Sequence, residues 1–168
     1  MFLASQPPCC GSAPLQTFWN ESDLSVINQW IQKNYTFTAT LIEHLLCFGL
    51  ANPPGKFYLD NIIVDNGNGT NMLMNGDFET SPFYTGWLMY PFENCGSGQF
   101  KISSVTGIPI VPGSNSRQFY NGCNNLTYLY QTFNTTVGTI FTISFWICNF
   151  KNPNGADPIN NIIDIHIA

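Results

Sequence analysis

Apolar and polar positions alternate along much of this chain with a period of two rather than 3.6, the signature of strands with one buried face. Tyr35-Thr36-Phe37-Thr38-Ala39-Thr40 alternates cleanly and predicts a strand with its Thr side to solvent. Residues 41–50 are more continuously apolar, as a strand covered on both faces would be. Asn52-Pro53-Pro54-Gly55 then turns the chain into Phe57-Tyr58-Leu59-Asp60-Asn61-Ile62-Ile63-Val64, an aromatic and β-branched strand that ends at the polar Gly/Asn run from Asp65 to Asn71. Beyond it, the pattern predicts a strand and its approach over 78–90 and another over 99–105. Two more follow over 128–133 and 139–150 around Val137-Gly138, and a last one runs over 161–168. Residues 5–23 and 107–122 carry the Pro, Gly and Ser of loops, and Leu24, Ile27, Trp30 and Ile31 suit a helical turn as well as a strand.

Two stretches carry a resemblance. Met72 to Glu79 with Gly86-Trp87, the NGDFE-plus-GW pattern, resembles the opening of extracellular β-sandwich domains of the carbohydrate-binding-module and galactose-binding-like jelly-roll type, and FYLDNIIV resembles the segment that closes one. Here the closing signature comes first. The resemblance covers most of residues 34–168 and implies an all-β jelly-roll sandwich assembled from two half-domains of successive copies. Residues 1–64 would be the back half of one domain, 65–70 a linker and 71–168 the front half of the next. Strand 161–168 should then pair with the 1–64 half of another copy, and few contacts should join 24–64 to 78–168 within one. The function that follows is a structural subunit or repeat of an extracellular filament, whose partners are other copies of itself, joined by strand complementation or as a tandem array. The alternative is a monomeric carbohydrate-binding or lectin-like adhesion module that folds back on itself as a permuted jelly roll. The resemblance also implies a structural calcium held by Asp77 and Glu79 of the opening motif and Asp60 of the closing one, with capping of a turn as the other role for Asp77 and Glu79. No other cofactor is required.

Composition narrows the setting. The chain has 168 residues, enough for one sandwich and too few for two. Only 9% of residues are charged, so the surface needs another source of solubility. Five Asn-X-Ser/Thr sequons, at Asn20, Asn34, Asn68, Asn125 and Asn134, supply one as N-linked glycans, and Asn68 and Asn125 sit in the most loop-like sequence. Six cysteines, Cys9, Cys10, Cys47, Cys95, Cys123 and Cys148, point to disulfides in a secreted protein. Cys95 and Cys123 are the first expected pair, and the other four then have three pairings, at least one of them expected to cross between copies. No leader of adequate length precedes Ser5, so the chain is expected to be a processed product or a window of a longer one. No apolar run is long enough to enter a membrane as a helix, and a net charge of −5 with five basic residues argues against nucleic acid.

Catalysis has little to stand on. Glu21, Glu43 and Glu93 are scattered among unrelated elements, and neither His44 nor His166 neighbours a nucleophile motif, so no enzyme is expected. Aromatic residues, 15% of the chain, offer sugar-stacking platforms at Trp19, Trp30, Trp87, Trp146, Tyr84 and Tyr90, although strand patterns would bury Trp87 and Trp146.

Overall fold

The computed structural model describes residues 14, 16–21, 28–52, 55–82, 84–90, 100–104, 111, 117–123, 125–151 and 161–168. Among them run ten strands: β1 (Gln16–Glu21), β2 (Trp30–Thr38), β3 (Glu43–Ala51), β4 (Lys56–Asp65), β5 (Leu88–Tyr90), β6 (Phe100–Ser104), β7 (Arg117–Asn121), β8 (Thr127–Asn134), β9 (Ile140–Phe150) and β10 (Ile162–Ile167). They form two antiparallel five-stranded sheets, a first of order β1-β10-β3-β8-β5 and a second of order β2-β9-β4-β7-β6. The all-β architecture expected from the period-two pattern is therefore present, in the two-sheet sandwich that the resemblance implies.

Alternation assigns the faces. In β9, Phe141, Ile143, Phe145 and Ile147 point into the space between the sheets, where Phe48 of β3 meets Phe145 edge to face at a centroid distance of 5.1 Å. In β10, Ile163, Ile165 and Ile167 are fully buried beside Leu46, Phe48 and Leu50 of β3. Each apolar side chain so covered contributes roughly 1.5–3 kcal/mol. β3 is buried on both faces, as its continuous apolar run implies, because its outward Leu45 and Cys47 lie under Tyr128 and Tyr130 of β8.

Sequence pattern misses two elements and overextends a third. β1 and β7 fall in stretches read as loop. Of the described side chains of β1, only Trp19 is fully buried, and a register shift between Thr17 and Trp19 breaks any alternation that could have betrayed the strand. The strand expected across residues 78–90 shrinks to β5, since residues 78, 80–82 and 84–86 are bend and turn. Phe78 there has φ 58° and drops its ring into the core against Trp87 and Phe119, at 5.6 and 6.1 Å. Residues 24–27 lie outside the described residues, but Trp30 and Ile31 open a strand, not a helix.

The division into half-domains needs correction. Strand 161–168 does pair with the 1–64 half, at β3 and β1, but with those of its own chain. β2 and β4 likewise flank β9, and β3 lies against β8, so residues 24–64 and 78–168 share both sheets within one copy. The cause is local. Asp65 Oδ1 accepts the amides of Gly67, Asn68 and Gly69 at 2.9–3.2 Å, Gly67 and Gly69 take positive φ, and Met72 N returns to Val64 O at 2.8 Å. The stretch expected to bridge two sandwiches is a loop that reverses the chain onto the strand it has just left. Asn71 completes the reversal by accepting Val64 N at 2.9 Å through Oδ1 and donating Nδ2 to Ile62 O at 2.8 Å. Closing and opening signatures are thus spatial neighbours.

Candidate functional site: the outer face of the first sheet

The register of the first sheet lays two rows of side chains across its outer face. Tyr90 of β5 stands opposite Tyr128 of β8, which stands opposite Gly49 of β3, which in turn faces Asp164 of β10. In the adjoining row Leu88, Tyr130, Cys47 and His166 follow in the same strand order. With strands about 4.8 Å apart, each row spans on the order of 14 Å. Gly49 is what lets the first row lie flat: a Cβ there would stand 2.7 Å from Tyr128 Cε1 and 3.2 Å from Asp164 Cβ, so the phenol ring lies over bare backbone.

Exposure rises toward the edge strand. Leu88 is 59% exposed and the three tyrosines are half-buried, whereas Cys47 is buried. His166 is only 3% exposed, and its Nδ1 lies 3.3 Å from Asp164 Oδ1 while its Nε2 is buried without a hydrogen bond. The face therefore presents aromatic rings at one side and, at the other, the half-buried Asp164 carboxylate beside the covered His166 ring. Such a surface can stack on flat apolar faces and exchange hydrogen bonds with hydroxyls beside them.

The outer face of the second sheet is built differently. Tyr58, Tyr120 and Cys148 are buried there, with Trp30 and Phe150 half-buried against them. Burial pushes the Cys148 thiol up to about 12, and burial followed by the neighbouring Tyr120 and Cys148 pushes the Tyr58 phenol up to about 12.

The residues singled out in the sequence are distributed as follows. Of the six aromatic platforms, Trp19 and Trp87 are core, Trp87 donating Nε1–H to Asn75 O at 3.0 Å and Trp19 lying under Lys33 Nζ at 4.3 Å from its ring centroid. Trp30 and Trp146 are half-buried, Tyr84 is exposed in the loop before β5, and Tyr90 belongs to the site. Tyr128 and Tyr130 were missed as platforms. Their spacing of two along β8 signals a shared face, but only the pairing with β5 sets Tyr90 beside it.

The calcium set is not assembled. Asp60 is buried on β4, where its Oδ1 accepts Asn61 N at 2.7 Å, and Asp77 accepts Glu79 N at 3.3 Å in an exposed turn. Glu79 receives Arg117 N at 2.7 Å and the Arg117 Nε at 3.8 Å, so a cationic side chain already attends that carboxylate. Among the described residues no three His, Cys, Asp or Glu side chains gather as a metal site, and these three carboxylates do not fit one by themselves.

Cysteine placement also departs from expectation. Cys47 and Cys148 are buried thiols, not disulfide partners, because one lies on the outer face of the first sheet and the other on the outer face of the second, with the whole core between them. Cys123 is disulfide-bonded, and Cys9, Cys10 and Cys95 lie outside the described residues. Of the sequon asparagines, Asn34, Asn68, Asn125 and Asn134 are exposed, and Asn20 lies on β1. The Thr127 hydroxyl of the Asn125 sequon is buried and engaged with Asn121 Nδ2 and Leu50 O. Comparison with protein-family models, with curated proteins and with solved structures finds no match to this chain.

Proposed function

We propose that this chain is an extracellular β-sandwich module, jelly-roll in plan and complete in one copy, that binds glycan chains on the outer face of its first sheet. The observation that carries this reading is the opposition of Tyr90 and Tyr128 across β5 and β8, with Gly49 clearing the backbone beneath and Asp164 at the far end of the row. Pyranose rings stack their C–H faces on aromatic rings, and a carboxylate at the end of the row accepts sugar hydroxyls. A setting outside the cell is supported by the 9% charged content, the five sequons and the disulfide at Cys123.

Electrophoresis through gels containing neutral or acidic polysaccharides tests it. The wild type should be retarded by at least one of them, Tyr128→Ala and Tyr90→Ala should migrate as in an empty gel, and Gln32→Ala, exposed on the other sheet, should behave as wild type. Unaltered migration of the wild type in every gel, or retention that survives both tyrosine substitutions, removes the reading.

A second reading keeps the filament. It is favoured by the order of the two signatures, with FYLDNIIV ahead of NGDFE, and by the exposed 65–70 loop between them. If that loop opened, the same strand pairings could be made between successive copies, and intact mass with light scattering would register polymers where the glycan-binding module gives monomers.

A further inference from the structure

We propose that Asn134 carries an N-linked glycan whose first sugars lie over an apolar tip formed by Leu41, Ile42, Val137 and Ile140. This inference rests on the extracellular reading above and adds a place and a task for one of the five sequons.

The tip is made by two turns bonded into one surface. Ala39 N donates to Thr139 O at 2.9 Å and Gly138 N to Ala39 O at 2.8 Å, which fastens the β2–β3 turn to the β8–β9 turn. Thr135 N donates to Ile42 O at 2.8 Å, and the Thr135 hydroxyl to Leu41 O at 2.6 Å. Four aliphatic side chains are left outside, with Leu41 57%, Ile42 76%, Val137 56% and Ile140 63% exposed. Single exposed aliphatics need no explanation, but four on one bonded pair of turns gather more apolar surface at this end of the sandwich than scattered positions would.

The sequon sits at the foot of that patch. Asn134 is the last residue of β8, opposite Glu43, and is exposed, as is Thr136. The residue between them is the one whose amide and hydroxyl hold Ile42 and Leu41, so a sugar linked to the Asn134 amide starts one residue from the patch. An N-acetylglucosamine ring has an apolar C–H face and an acetamide methyl, both suited to aliphatic side chains, while its hydroxyls face water. Covering the tip this way removes apolar surface from solvent in a chain with few charges to keep copies apart.

The test is expression of the full chain with a secretory leader in a glycosylating host, followed by peptide mapping and dye binding. Wild type should carry a glycan at Asn134 and bind bis-ANS weakly. Asn134→Gln, and separately Thr136→Ala, which spares the asparagine, should each raise dye fluorescence several-fold and yield concentration-dependent oligomers. Ile42→Thr with Val137→Thr in the Asn134→Gln background should reverse both effects, and Asn68→Gln should produce neither. A bare Asn134 in a chain glycosylated at other sequons, or dye binding unmoved by Asn134→Gln and Thr136→Ala, overturns this inference and leaves the extracellular reading standing. Wild type that dimerises through the tip while glycosylated overturns it as well. Bare asparagines at all five sequons would instead remove the extracellular reading itself.

Discussion

His44 ties the end of the chain to the turn that precedes its own strand: its Nδ1 lies 3.4 Å from the Ala168 carbonyl oxygen, 124 residues away, and its Nε2 accepts the amides of Thr40 and Leu41 at 3.2 and 3.3 Å. Those two donors make Nε2 the acceptor nitrogen, which leaves Nδ1–H to donate to Ala168. Ala168 also exchanges both backbone hydrogen bonds with Leu45, at 2.9 and 3.0 Å. Replacing His44 by Phe should keep the ring packing on Phe37 and Phe133 but strand the two turn amides, at a cost of about 2–3 kcal/mol. A urea midpoint equal to that of the wild type would show that the ring nitrogens contribute nothing.

Gly76 faces a harder limit. A Cβ at this position would stand 1.9 Å from the Ile62 carbonyl oxygen, in the contact where Ile62 N donates to Gly76 O at 2.8 Å. Because the obstacle is backbone, at the register shift between Asp60 and Ile63 where β4 pairs with β9, it cannot swing aside as a side chain would. Gly76→Ala should therefore cost several kcal/mol, on the order of 3 or more, and expose Phe78. Gly138, where an added Cβ meets nothing, pays only for its φ of 83°, and Gly138→Ala should lose about 1 kcal/mol. Paired thermal melts would separate the two.

Much of this was legible in the order of residues. Strands β2, β3, β4, β8, β9 and β10 follow from alternation or from continuous apolar runs, and the core phenylalanines of β9 can be read directly from IFTISFW. What stayed hidden depends on partners distant in sequence. β1 and β7 are strands because β10, β4 and β6 offer them edges, and Trp19 points inward only through a bulge that no local pattern encodes. The tyrosine platform was hidden for the same reason, since Tyr90 and Tyr128 are 38 positions apart and meet only by register. The closing signature was read correctly as a strand and the 65–71 run as a turn, but whether the two signatures join across copies or within one depends on hydrogen bonds made by Asp65 and Asn71.

Alkaline pH should weaken the outer cluster of the second sheet. Cys148 rises from 9.0 to about 12 and Tyr58 from 10.0 to about 12 in the folded chain, so each is held neutral there and ionises more readily when unfolded. For an acid whose folded value is raised, the stabilisation is complete below the unfolded value and is lost as pH climbs to the folded one. Unfolding free energy should thus decline from about pH 9 to pH 12, and Cys148→Ala with Tyr58→Phe should flatten that decline. The same burial predicts that Cys148 resists thiol reagents at pH 8 until denaturant is added. Prompt labelling of the native protein would contradict the packing.

Removal of β10 is the sharpest test of a sandwich completed in one copy. Ile163, Ile165 and Ile167 are all fully buried, and β10 lies between β1 and β3. A chain ending at residue 161 should be insoluble or molten when made alone, and a peptide of residues 161–168 supplied in trans should restore part of the fold. Well-folded, soluble truncated protein would revive assembly between copies.

Gln16 and Ile167 stand side by side on antiparallel strands, with β1 and β10 running away from them together. A pull applied at those two points would load the rungs of that ladder one after another, as a zipper opens, and not all at once in shear. A bead strung by its ends would therefore yield early at β1 and pay out slack before its core is disturbed, so a chain of such beads would behave as a soft spring, not a stiff rod.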